Sequence, residues 1–86
     1  MKTYASSAEL FESARRLASQ MSSEGNEAAA KEILRGIQAV NGLTDGWALF
    51  LESLDRVNEA QGESISNGAS NELQSIRAAV RKAVYR

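Results

Sequence analysis

The sequence predicts an all-α fold: a small antiparallel four-helix bundle built from two helical hairpins. Three observations lead there. Four helix-length segments each carry one apolar stripe stepping by three and four residues, the spacing of inward positions in a bundle of near-parallel helices. The joints between the segments are short, which favours antiparallel neighbours. The chain contains no Pro to break a helix, and no strand-type alternation runs beyond a few residues.

The first helix is expected to begin at Ser6. Ser6-Ser7-Ala8-Glu9 reads as a capping box, in which the Ser hydroxyl accepts from a first-turn amide and Glu9 reaches back to the cap. Leu10, Ala14, Leu17 and Met21 form its stripe, with Phe11 and Ala18 widening one side. Gly25 is the expected stop, and Asn26 caps the second segment. There the stripe is Ala30, Ile33, Ile37 and Val40, widened by Leu34. Gly36 lies inside this helix beside the Ile33–Ile37 face, where Gly costs roughly 0.5–1 kcal/mol relative to Ala. A close helix crossing is the expected reason. Asn41-Gly42 ends the segment, with Leu43 placed for the apolar contact that accompanies such a cap.

Thr44 or Asp45 caps the third helix, whose inward residues are Trp47, Phe50, Leu54 and Val57, with Leu51 beside them. Gln61-Gly62 stops it. Residues 63–70 have loop composition, yet Ile65, Ala69, Leu73, Ile76, Val80 and Ala83 share one helical face. A helix from about Ser70 to Val84 is expected, starting anywhere between Ser64 and Ser70. Trp47, Phe50, Leu54, Leu17, Ile33, Ile37, Ile76 and Val80 are expected to meet in one core. The two hairpins share this pattern but not residues. Ala14, Ala18, Ala30 and Leu34 resemble the small-and-large spacing of a tetratricopeptide hairpin, whose aromatic and Pro positions are missing.

At 86 residues the chain is expected to be a single domain, residues 1–86. With 43% apolar and 24% charged residues it has ordinary globular composition. No Cys and no His are present, so disulfides and the usual Cys/His zinc sites are excluded. No signal-peptide core and no membrane-span-length apolar run occurs, so the expected location is the cytoplasm, with no membrane partner.

Catalytic groups are sparse. General acid–base work near neutral pH most often uses His, and serine nucleophiles usually need a His or Lys base. Lys2, Lys31 and Lys82 are the only lysines, each on an expected exposed face or terminus. Glu52, Asp55 and Glu59 are expected on the solvent side of the third helix, a spacing that holds a hard cation only weakly. No phosphate-binding Gly loop or calcium loop is present. The chain is therefore expected not to be an enzyme, and to have no catalytic residue, no metal and no cofactor. Glu52-Ser53-Leu54-Asp55 resembles the Asp-Ser-Leu site of acyl carrier proteins. That resemblance would make Ser53 a phosphopantetheine attachment point. It covers only those residues, and Ser53 falls mid-helix where the family's serine opens a helix; otherwise Ser53 is an ordinary exposed Ser.

Charge is distributed unevenly within a net of -1. The third helix carries Asp45, Glu52, Asp55 and Glu59 against Arg56. The last segment carries Arg77, Arg81, Lys82 and Arg86 against Glu63 and Glu72. These four cations are candidate phosphate contacts of a nucleic-acid-associated regulator. Basic residues near a helix C-terminus also complement its dipole, and an acidic third helix counts against DNA. The leading expectation is a protein-interaction module that binds a partner protein or itself through apolar helix surface. Its candidate contacts are the stripe-edge and off-stripe residues Phe11, Leu34, Leu49, Leu51 and Tyr85. Because many stripe positions are Ala, a lone core would be slim, and a homodimer is expected to complete it.

Overall fold

The computed structural model describes residues 4–42, 45–61 and 65–85. It contains four helices: α1 (Ser7–Ser23), α2 (Glu27–Gly42), α3 (Gly46–Gln61) and α4 (Asn67–Val84). No strand occurs among the described residues.

Local chemistry sets the helix ends. The Ser6 hydroxyl accepts from the Glu9 amide at 3.2 Å, as the capping box requires. Gly25 adopts φ +88°, the left-handed conformation that lets the chain leave α1 at little steric cost. The Asn26 carbonyl accepts from Ala30, and the Asp45 carbonyl from Leu49, so each sits at the cap of the helix that follows it. Thr44 lies outside the described residues. The start of α4 falls within its expected window: Ser66 is the cap, its hydroxyl accepting from the Ala69 amide at 3.3 Å. Of the ambiguous segment, 67–70 is helical and 65–66 is not, while 63 and 64 lie outside the described residues.

Adjacent helices run antiparallel. Glu32 meets Arg56, Gly36 meets Ser53, and Ala39 meets Gly46, so numbers fall along α2 as they rise along α3. Asp55 with Arg77 and Asn58 with Gln74 give the same sense for α3 and α4. Ser66 with Glu24 and Gly68 with Gln20 give it for α4 and α1. Each helix packs on its chain neighbour and α4 closes on α1; among the described residues no backbone contact joins either diagonal pair.

One core fills this ring. Leu17, Ile33, Ile37, Phe50, Leu54, Ile76 and Val80 are buried in it, as expected, with Leu10, Met21, Val57 and Leu73. Burying each large side chain contributes about 1.5–3 kcal/mol relative to leaving it exposed. Trp47 departs from the expectation. It is half-buried at the bundle end where α1 and α3 begin, stacked on Phe11 with ring centroids 5.4 Å apart. Phe50 lies behind both rings.

Gly36 has the expected role. A Cβ built there would lie 2.8 Å from Phe50 Cδ1 and 3.1 Å from Ser53 Cβ, so α2 and α3 approach as closely as Gly permits. Three serines are buried that the apolar pattern does not predict: Ser13, Ser53 and Ser75. Ser75 donates to the Asn71 carbonyl at 3.1 Å. Ser13 and Ser53 each accept from the Arg three residues later, Arg16 and Arg56, at 3.4 Å.

The Ser–Arg spacing recurs at an interval of 40 residues. Ser53 follows Ser13 by 40 residues, and the same shift carries Glu12 to Glu52, Arg16 to Arg56, Ala29 to Ala69, Glu32 to Glu72 and Val40 to Val80. Burial follows the shift at some positions only: buried Ala18, Ala30 and Ile37 stand against half-buried Asn58, Ser70 and Arg77, and exposed Arg35 stands against buried Ser75. Leu10, Ser13, Ala14 and Leu17 are buried as are Phe50, Ser53, Leu54 and Val57; Ala29, Ile33 and Gly36 match Ala69, Leu73 and Ile76. Heptad stripes alone would align apolar positions. They would not place a buried Ser with an Arg three residues later in both α1 and α3.

Candidate interaction surface

The expected contact residues fall into three environments. Leu34 is 43% exposed and Tyr85 74% exposed, the two large hydrophobics left open to solvent among the described residues. Leu34 therefore does not widen the core stripe of α2. Leu49 and Phe11 are half-buried, and Phe11 is committed to the ring stack with Trp47. Leu51 is 6% exposed and belongs to the core, which corrects its assignment as a contact edge. Leu34 is on α2 and Tyr85 follows α4, a diagonal pair, so the two do not form one continuous patch.

The basic residues of α4 divide in the same way. Arg77 Nε and Nη2 donate to Asp55 Oδ1 at 2.9 and 2.8 Å, and its Nη1 donates to Gln74 Oε1 at 2.7 Å. Gln74 also donates to Asn58 Oδ1 at 2.7 Å. This network ties the basic helix to the acidic one, so Arg77 is held as an internal cross-link rather than presented as a phosphate contact. Asp55, expected on the solvent side, is half-buried, its side chain 37% exposed beside Arg77. Arg81 and Lys82 are exposed in the last turn, and Arg86 lies outside the described residues.

Ser53 is 3% exposed, and its hydroxyl oxygen lies 3.1 Å from where a Gly36 Cβ would be. The expected exposed serine is therefore buried, because the α2–α3 crossing needs small side chains from both helices. A prosthetic arm cannot reach it without separating those helices. Among the described residues, no group of three or more Asp or Glu is placed to hold a metal ion. No helix there is long and apolar enough to cross a membrane.

Two features have no sequence counterpart in the stripes. The first is a shallow depression of about 200 Å³ between α2 and α3, lined by Ala28, Ala29, Glu32, Arg56, Val57 and Ala60. Arg56 closes one side by donating to Glu32 at 2.8 and 2.5 Å. The Arg56 hydrogen bond holds the Glu32 carboxyl below its ordinary range, against the opposing effect of burial. A lowered carboxylate favours folding above its unfolded value of 4.5, and that contribution fades as pH falls through the folded value. Arg56 is 58% exposed, so the pair is worth about 0.2–1 kcal/mol.

The second is Tyr4, which packs against the core and donates to Glu72 over a long 3.5 Å. Gly68 faces Gln20, so Glu72 is level with the middle of α1, and Tyr4 lies back along the α1–α4 seam. Burial pushes the phenol up from 10.0 to about 12, with the charge of Glu72 and its hydrogen bond adding to the effect. A raised phenol favours folding fully below pH 10, and loses that contribution as pH rises towards 12. In alkaline titration, the phenolate absorbance absent from Tyr4→Phe should appear near pH 12. A Tyr4 component titrating at 10 would place the ring in solvent.

No protein-family model matches the chain, and neither a curated protein nor a solved structure matches it.

Proposed function

We propose that the chain is a non-enzymatic, cytoplasmic protein-interaction module that binds a partner protein, or a second copy, through apolar helix surface. The observation that supports this is Leu34: a large aliphatic side chain 43% exposed in the middle of α2, with the core complete without it. Tyr85, beyond the last turn of α4, is a second apolar contact on another face. The alternative, a nucleic-acid-associated regulator, keeps only Arg81 and Lys82 of its cations among the described residues, because Asp55 holds Arg77.

Leu34→Glu tests the reading without touching the core. Its urea midpoint should match that of the parent, since surface changes usually stay within about 0.5 kcal/mol. Sedimentation at tens of micromolar and co-purification from the source cell should then show an association that this variant loses. A parent that is strictly monomeric, with no partner lost on Leu34→Glu, would leave Leu34 as ordinary surface. Binding to nucleic acid that weakens with salt and with loss of Arg81 and Lys82 would move the assignment to the alternative.

A further inference from the structure

The outer face of the α2–α3 pair has two unlike ends. At one end is the depression, with Ala29 and Val57 buried beneath it and Ala28 and Ala60 exposed at its rim. At the other end is Leu49. Ser53, Arg56 and Ala60 mark the edge of α3 that meets α2. Leu49 continues that edge, because steps of four, three and four residues stay on one side of a helix. Its side chain is half-buried, but unlike half-buried Trp47 and Val40 it does not pack against the core. The face therefore carries an aliphatic side chain at one end and a hollow at the other. At about 200 Å³ the hollow is smaller than the roughly 300–1,000 Å³ of small-molecule pockets. It has room for one aliphatic side chain presented by another protein surface.

Charge between the two ends is arranged to suit a second copy. Arg56 and Arg35 stand around the single carboxylate of Glu32, their side chains 58% and 76% exposed, with Arg35 no closer to it than 3.7 Å. Glu52, one turn from Arg56 towards Leu49, is exposed. Leu49 and Ala60 are equidistant from a point midway between Ser53 and Arg56. A two-fold axis through that point, across the helices, lays Leu49 of each copy on the hollow beside Ala60 of the other. The same axis sets Glu52 of each copy against Arg56 of the other. Glu32 and Gly36 are level with Arg56 and Ser53, so the axis also brings Arg35 of each copy beside Glu32 of the other. Every contact is made twice, as an isologous dimer requires. A two-fold along the helices would instead set hollow on hollow and leave Leu49 outside.

We propose that two copies of this chain associate through their α2–α3 faces, with Leu49 of each seated in the hollow of the other. The proposal deepens the second-copy form of the reading above without resting on Leu34, which lies about 120° around α2 from Ala28. Two helices of 16 residues side by side present roughly 24 by 20 Å, about 500 Å² from each copy. A contact of that size makes a weak complex, and its charged pairs fix register more than they add affinity.

The chain has no Cys, so a single thiol reports the face used. The two copies of residue 52 lie either side of the axis, about 8 Å apart along the helices. Glu52→Cys treated with a short bismaleimide should therefore double its mass on a denaturing gel, while Leu34→Cys, exposed on another face, should not. Sedimentation of the parent from tens of micromolar to about 1 mM should show a mass that rises with concentration. Ala60→Glu, a change at an exposed residue that puts a charge at the hollow, should keep the parent's urea midpoint and lose that rise. Leu34→Glu should keep it. A constant monomer mass of the parent up to about 1 mM overturns the proposal. So does doubling in Leu34→Cys but not in Glu52→Cys, which would move self-association to Leu34 and leave the earlier reading standing. If Ala60→Glu fails to fold, the two Cys variants decide.

Discussion

Leu54→Ala should remove at least a third of the stability of the domain. Leu54 is fully buried at the centre of α3, between Phe50 and Val57 on the inward face. Truncation there loses the transfer free energy of the missing carbons and leaves a cavity, together about 2–5 kcal/mol. A domain of this size has on the order of 5 kcal/mol in all. Its urea midpoint should therefore fall by at least a third, and the low end of the denaturation curve should begin partly unfolded. Leu34→Ala is the matched control: the same chemical change at a 43% exposed site, with an expected effect within about 0.5 kcal/mol. Equal midpoints for the two leucine variants would mean that the register of α3 is wrong.

Leu34 and Leu51 also mark the limit of what the pattern could reveal. Each directly follows a stripe residue, Ile33 and Phe50, and each widens its stripe on the same side. The structure buries Leu51 and exposes Leu34. A single helix pattern identifies an inward face, but not which edge of it will meet a neighbour. That depends on the hand in which four helices close into a ring, and no single stripe encodes it. Stripe centres were legible for the converse reason: Leu17, Ile33, Leu54 and Ile76 face inward whichever way the ring closes.

The polar contacts were hidden by the same missing information. Arg77 reads as a solvated cation until α3 is set beside α4 with Asp55 opposite it. Glu32 and Arg56 become partners only through the α2–α3 register. The opposite net charges of α3 and α4 favour their contact, without naming the pair. The buried serines escaped because an apolar count scores them as surface. Their use is their size: a helix crossing at Gly36 needs a small neighbour, and Ser53 is one.

Gly36→Leu should cost about 3 kcal/mol, and Gly36→Ala shows why. At an open helical site, replacing Gly by Ala is worth up to about 1 kcal/mol in favour of the folded state. At Gly36 the added methyl would lie 2.8 Å from Phe50 Cδ1 and 3.1 Å from both Ser53 Cβ and its hydroxyl oxygen. Phe50 is fully buried, between Phe11 and Trp47 on one side and the core on the other, so its ring cannot swing clear. The backbones of α2 and α3 must separate instead, which loosens the closest crossing in the bundle and weakens the Glu32–Arg56 pair beside it. Steric cost should outweigh the gain in propensity, so Gly36→Ala is expected to lower the urea midpoint and Gly36→Leu to lower it further. Phe50→Val has no Cδ atom and so removes the atom that the new methyl meets. In a double-mutant cycle it should recover part of the Gly36→Ala loss, since residues in direct contact do not contribute additively. A Gly36→Ala variant more stable than the parent would show an α2–α3 crossing with room to spare, and the small size of Ser53 would then need another cause.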